Sequence, residues 1–251
     1  SAVHVDGADA TFINNGTISV NIEASPQLTS SQCTVPSGIN NQCIGTPNFP
    51  IALATGEVQG ISVDSANYVI INNGSINSEV SRAVVESSNT LHLLGDGGLV
   101  VNNGDISLNL RDESKELEFT GLLSPNEWNE AENHSGGILQ PNGTFHHAIY
   151  VDGMSTTIRN FGRIEALTER DDAPKTGAID AYTSGATDTY IYNAGVITAS
   201  AFGVSIGEGV LVNDGSIVQA FAPSRYTYEL GSGPNANRLS GFVHLSSSRL
   251  V

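Results

Sequence analysis

A short phrase built on Asn-x-Gly-x-Ile recurs through the chain and limits its fold more than any other feature. It reads FINNGTI from Phe12, VIINNGSI from Val69, LVVNNGDI from Leu99, TIRNFGRI from Thr157, YIYNAGVI from Tyr190 and LVNDGSI from Leu211. Its Asn falls at Asn14, Asn72, Asn102, Asn160, Asn193 and Asn213, at intervals of 58, 30, 58, 33 and 20 residues. A repeat array grows in one direction, each unit burying its apolar face against the next. The 251 residues are therefore expected to form one elongated domain spanning 1–251.

A second strand-like segment precedes each phrase, opened by a small residue: AVHV at Ala2, GISV at Gly60, AVVE at Ala83, AIYV at Ala148, AIDA at Ala178 and GVSI at Gly203, with FVHL from Phe242 near the end. Each unit then reads strand, polar turn, strand, Asn-x-Gly turn, short third strand. This order predicts an all-β, right-handed parallel β-helix of about seven coils, in which a minimal coil of ~20 residues carries loops at its turns. Asn-Gly is also a hairpin signal. Flanking strands that differ in kind yet repeat in one order favour parallel stacking over that antiparallel alternative.

Turn chemistry accounts for the residues that recur. Gly adopts a left-handed backbone freely and Asn at little cost, so the phrase reads as a corner, with the following Ile turned back inward. Coils stacked ~4.8 Å apart place the motif Asn side chains above one another, where they can hydrogen-bond as a ladder. The Asn is thus explained without a ligand.

Two long insertions interrupt the pattern. Residues 23–59 contain Cys33 and Cys43, whose close spacing in a polar, Pro-containing stretch favours a local disulfide and an oxidising compartment. Residues 111–145 hold the densest acidic run and the single Trp, Trp128; Asp112 to Phe119 is read as a short outer helix, with a mobile polar loop as the alternative. No apolar run reaches the ~20 residues of a membrane span. Ten Lys and Arg against 26 Asp and Glu leave a formal charge of −16, which disfavours nucleic acid and anionic membranes as partners. Strand patterns also begin at Ala2 and break off after Phe242, so the chain reads as a segment of a longer one.

The Asn-x-Gly-x-Ile repeats, together with Asn89-Thr90-Leu91-His92-Leu93-Leu94-Gly95-Asp96-Gly97, resemble the passenger domains of bacterial autotransporters, the surface proteins of type V secretion. The resemblance covers nearly all of the chain outside the insertions. It implies a β-helix displayed outside a Gram-negative cell, on the outer-membrane surface or secreted, with a C-terminal outer-membrane barrel in the full-length protein. In such proteins specific function tends to sit in inserted loops.

Candidate chemistry is sparse. Gly203-Val204-Ser205-Ile206-Gly207 matches G-x-S-x-G, but alignment with GISV and AIYV puts Val204 and Ile206 in the core and Ser205 outside, without the strand–turn–helix of a nucleophile elbow. His146 and His147 read as a solvated loop junction, their side chains on opposite faces of a strand. Asp152, Asp171, Asp172 and Asp180 with Arg159, Arg163 and Arg170 form the best constellation for a polysaccharide lyase or hydrolase, with calcium as the one candidate cofactor. The leading expectation is a non-enzymatic adhesin or stalk. Its candidate contact residues are Glu127, Trp128, Glu130 and His134 in the acidic insertion, and Tyr150 and Asp180 in an outward column with Ser62 and Ser205. A host-cell, matrix or glycan ligand, or a second copy of the chain, would be the partner.

Overall fold

The computed structural model describes residues 1–23, 52–81, 83–111, 145–168, 176–220, 243–245 and 249–250, and every regular element among them is a strand. The first coil comprises β1 (Val3–Val5), β2 (Thr11–Asn14) and β3 (Thr17–Glu23). The second has β4 (Ala52–Val63), β5 (Val69–Asn72) and β6 (Ser75–Ser81), and the third β7 (Ala83–Leu93), β8 (Leu99–Asn102) and β9 (Asp105–Arg111). The fourth has β10 (Phe145–Val151), β11 (Thr157–Asn160) and β12 (Arg163–Thr168), and the fifth β13 (Thr176–Ala181), β14 (Thr189–Asn193) and β15 (Val196–Ala199). The sixth has β16 (Phe202–Ile206), β17 (Gly209–Asn213) and β18 (Ser216–Gln219), and the seventh β19 (Val243–Leu245) and β20 (Arg249–Leu250).

Corresponding strands of successive coils pair into three sheets. The first runs β1-β4-β7-β10-β13-β16-β19, the second β2-β5-β8-β11-β14-β17-β20, and the third β3-β6-β9-β12-β15-β18. Every pair is parallel, so the fold is a parallel β-helix and the hairpin alternative does not apply.

The interior is a set of aliphatic columns. Ile61, Leu91, Ile149, Ile179 and Val204 stack in the first sheet, Ile70, Val100, Ile158, Ile191 and Leu211 in the second, and Ile76, Ile106, Ile164 and Ile197 in the third, all buried. Burying one such side chain contributes roughly 1.5–3 kcal/mol, and the β-branched residues suit the pleated surface. The Ile after the motif Gly is fully buried in the four inner coils and partly buried at the ends, at Ile18 and Ile217.

The motif corner departs from its expected geometry. Left-handed backbone, expected at the motif Gly, occurs instead at the opposite corner, between the first and second sheets. There Asp9, Asn67, Gly97, Ser155 and Asp188 have φ of 58°, 57°, 68°, 53° and 55°. Their amides bridge coils: Asp9 donates to the carbonyl of Ala66, Asn67 to Asp96, Gly97 to Met154 and Ser155 to Thr187, at 2.7 to 3.0 Å. The motif Gly is required by close approach. A Cβ on Gly74 would collide with the backbone of Gly16, one on Gly104 with Gly74, and one on Gly162 with Gly104. Glycine lets the corners of successive coils stack backbone on backbone.

One segment takes a different place from its expected one. Ala83-Val84-Val85 pairs with Ala52-Leu53-Ala54, upstream of a register shift between Ala54 and Glu57, while the partner of Ile61 and Val63 is Leu91 and Leu93. The third-coil counterpart of GISV is therefore Thr90-Leu91-His92-Leu93, and the C-terminal part of the 23–59 insertion, from Ala52, is strand. Cys33 and Cys43, and the segment Asp112–Phe119 read as a short helix, lie outside the described residues.

Candidate functional site

Polar and aromatic side chains gather on the outer side of the first sheet. Its strands bend where two successive residues both face inward: Thr90 and Leu91, Ala148 and Ile149, and Ala178 and Ile179 are all fully buried. Thr90 Oγ1 donates across the interior to the carbonyl of Ser107 on the third sheet, at 2.8 Å. The bend breaks the two-residue alternation of a flat strand. His147 and Tyr150, three residues apart, therefore share one side, and their rings stack at 5.4 Å with 22° between planes.

Neighbouring coils complete the group. His92 is the register partner of Tyr150 and meets its ring edge-on at 5.2 Å. Gln59 Nε2 lies 2.6 Å from His92 Nδ1. Phe202 passes over Gly177, where a Cβ would collide with its ring, and reaches within 5.8 Å of the His147 ring. Asp180 follows Tyr150 in register, and its Oδ1 accepts the backbone N–H of Tyr182 at 3.0 Å.

His147 is the centre of this group. Its Nδ1 lies 3.2 Å from the Asn89 carboxamide and its Nε2 3.4 Å from Asp180 Oδ2. The carboxylate alone would favour the imidazolium, but complete burial, with His92 as a smaller cause, works the other way and lowers the pKa to about 3. The ring is neutral near pH 7 and has a single N–H to serve two acceptors, Asn89 Oδ1 at 3.2 Å and the Asp180 carboxylate at 3.4 Å. His146 points to the other side and pairs with Ser88, Nδ1 to Oγ at 2.7 Å. Both histidines are buried, so they form part of the packed wall and not a solvated junction.

The outward column continues on both sides: His4, Ser62, His92, Tyr150, Asp180 and Ser205 are successive register partners. It is not an open surface. Ser62 is 5%, His92 8% and Ser205 3% exposed, with Tyr150 and Asp180 intermediate. Ser205 also sits within β16, which runs through Gly207 and Glu208 into another strand, so no nucleophile elbow is built there.

The other candidates are dispersed. Arg159 is on the second sheet, on a different face of the coil from Asp180, with which it was expected to group. Arg163, on the third sheet, is held by Asp105 at 3.2 Å and Glu165 at 3.4 Å. Asp152 lies at a corner, its amide donating to Leu93. Among the described residues no three His, Cys, Asp or Glu converge to hold a metal ion such as calcium. Glu127, Trp128, Glu130 and His134, and with them Arg170, Asp171 and Asp172, lie outside the described residues.

The six motif Asn side chains form one continuous chain inside the corner. Asn14 donates to Asn72, Asn72 to Asn102, Asn102 to Asn160, Asn160 to Asn193 and Asn193 to Asn213, each Nδ2 to Oδ1 at 2.7 to 2.9 Å. A second, exposed chain runs beside it, Asn103 to Asn73 to Asn15, both links 2.8 Å.

Gln59, Asn89 and His92 belong to the first-sheet group, and none of the three was a candidate site residue from the sequence. The available signal was the alignment of Thr90-Leu91-His92-Leu93 with Gly60-Ile61-Ser62-Val63, which puts His92 in the column of Ser62 and Tyr150. A family model described as the BigA third pectate lyase-like domain matches residues 6–222. No curated protein and no solved structure matches the chain.

Proposed function

The chain belongs to the family of the BigA third pectate lyase-like domain, and from that premise we propose that it is a non-enzymatic binding module of a bacterial surface protein, an adhesin or stalk of the autotransporter kind. Its setting is extracellular, at the outer-membrane surface of a Gram-negative cell, with an outer-membrane barrel in the full-length protein. The observation that supports binding over turnover is the separation of charges. Asp180, Arg159 and Arg163 lie on three different sheets, and Arg163 already has carboxylate partners. A lyase or hydrolase needs an acid, a base and a stabilising charge within reach of one sugar.

The ladders of Asn and the stacked Gly corners suit a rigid rod. Contact through the two insertions, 23–59 and 111–145, with Trp128 as the anchor, is the binding mode this reading favours. Adhesion of the purified domain to host cells and matrix proteins tests it, comparing the whole chain with Trp128→Ala and with each insertion shortened, each variant first checked for its strand signal by circular dichroism. Loss of adhesion on shortening supports the reading, and adhesion unchanged in every variant removes the insertions from consideration.

A polysaccharide lyase or hydrolase is the second reading, favoured by the pectate lyase-like description of the family. It predicts new reducing ends or unsaturated uronides from a polyuronate, abolished by Asp180→Ala with Arg159→Ala. No product from the unaltered domain would end it.

A further inference from the structure

The outer face of the second sheet differs in chemistry from the rest of this acidic chain. Over its first six strands the outward positions are the alternate residues, from Thr11 and Ile13 to Val210 and Val212, and none of them is a carboxylate. At its middle, Arg159 is exposed, with Tyr192 as its register partner in the next coil and Thr157 beside Tyr190. Phe161, 50% exposed, meets the Tyr192 ring edge-on at 5.8 Å, and Tyr190 is 37% exposed. Arg111 and Arg163 each pair with carboxylates, whereas Arg159 has no ion-pair partner among the described residues. In a chain of formal charge −16, Arg159 is thus a cation without a carboxylate partner among the described residues, beside aromatic rings.

We propose that Arg159, Phe161, Tyr190 and Tyr192 form a binding site for a glycan whose terminal sugar carries a single carboxylate, the carboxylate taken by Arg159 and the apolar face of the sugar ring laid on the tyrosines. A guanidinium meets a carboxylate through two parallel hydrogen bonds, and a planar ring covers the C–H face of a pyranose. The Asp214 carboxylate at the corner of the next coil acts on the Tyr192 hydroxyl and pushes its pKa up. Asp214 lies about two coil rises from Arg159, or ~10 Å, close to a Debye length at physiological salt.

Charge and geometry select this ligand over its rivals. One Arg matches one carboxylate, while the chain's net charge repels a polyanion. The strands β11 and β14 are paired on both edges, so the face offers side chains and no free backbone for an extended peptide. A second copy is disfavoured by size. Six coils at ~4.8 Å by three residues at ~3.3 Å give a flat patch of roughly 300 Å², well below the ~800 Å² per partner of a stable interface.

This inference rests on the reading of the domain as a binding module, and the experiment separates the two. Binding of 3′-sialyllactose, lactose, a heparin hexasaccharide and an acidic peptide to the whole 251-residue chain is measured by ligand-observed NMR and calorimetry, with cell adhesion assayed in parallel. Sialyllactose should bind in preference to the other three. Arg159→Ala should weaken it by about tenfold, the scale of one charge-assisted pair, and Arg159→Lys by less. Tyr190→Ala should also weaken it, and the melting temperature should stay unchanged because these side chains are exposed. Equal binding of lactose, preference for heparin or the peptide, or indifference to Arg159→Ala overturns the site. Adhesion without sialyllactose binding rejects this site alone, whereas absence of both rejects the binding-module reading as well.

Discussion

Asn72 donates its side-chain N–H to Asn102 Oδ1 at 2.8 Å while its own Oδ1 accepts from Asn14 at 2.8 Å, so residues 58 and 30 positions away in sequence meet in one buried file. Asn72 Nδ2 also reaches the Asp105 carbonyl at 3.0 Å. Each side chain in the file is both donor and acceptor, and removing one strands two neighbours away from water.

Asn72→Ala should therefore destabilise the domain by about 2–5 kcal/mol, the scale of two buried polar groups left without partners. Asn73→Ala removes a member of the exposed chain, where water replaces what is lost, and should cost less than ~1 kcal/mol. Urea unfolding of the two variants checks the contrast, and equal losses would contradict it.

The Gly column offers a test in which one substitution changes sign along the rod. A Cβ on Gly104 runs into the Gly74 backbone, which cannot move without displacing a coil, so Gly104→Ala should cost about 3 kcal/mol or more. Gly16 has nothing within 4 Å of the added carbon and no positive φ. Gly16→Ala should be neutral or stabilise by up to ~1 kcal/mol, through the lower entropy of the unfolded chain. Thermal melts of the pair decide it.

His147 gives the domain an acid limit. In the folded state its pKa is lowered to about 3 from the ordinary 6.5, mainly by burial, so below pH 6.5 the unfolded chain takes a proton that the folded ring refuses. Stability from this source is complete above pH 6.5 and falls as pH drops toward 3. Between pH 7 and pH 5 the fall should amount to roughly 2 kcal/mol. The midpoint of urea unfolding should decline over that range in the natural protein and decline less in His147→Gln, whatever the offset between the two at pH 7. Parallel declines would place the acid limit elsewhere.

How much of this was legible beforehand depends on the kind of residue. The columns of Ile, the motif Asn and the following Ile could be placed from spacing alone, because each coil repeats the same inward positions in the same order. Gly was legible as a marker and misleading as to cause: it is needed where one backbone presses on the next, and the left-handed residues are Asp, Asn, Ser and Gly at the other corner. His92 escaped notice because the third coil's counterpart of GISV begins with Thr90, not with a small residue, and Ala83 offered a closer match to the pattern.

The repeat by itself determined the class of fold, the order of three strands per coil and the positions that face inward, since these are local periodicities that any stacked coil must obey. Only the tertiary structure decided which outer residues meet. Gln59, Asn89, His147 and Asp180 come from four coils, and their encounter depends on the bend in β7, β10 and β13 that places two successive residues inside. Arg159 and Asp180, 21 residues apart in sequence, are separated because the chain turns onto another face between them. Periodicity fixes distance along a strand; the corners fix which face a side chain shares with its neighbours.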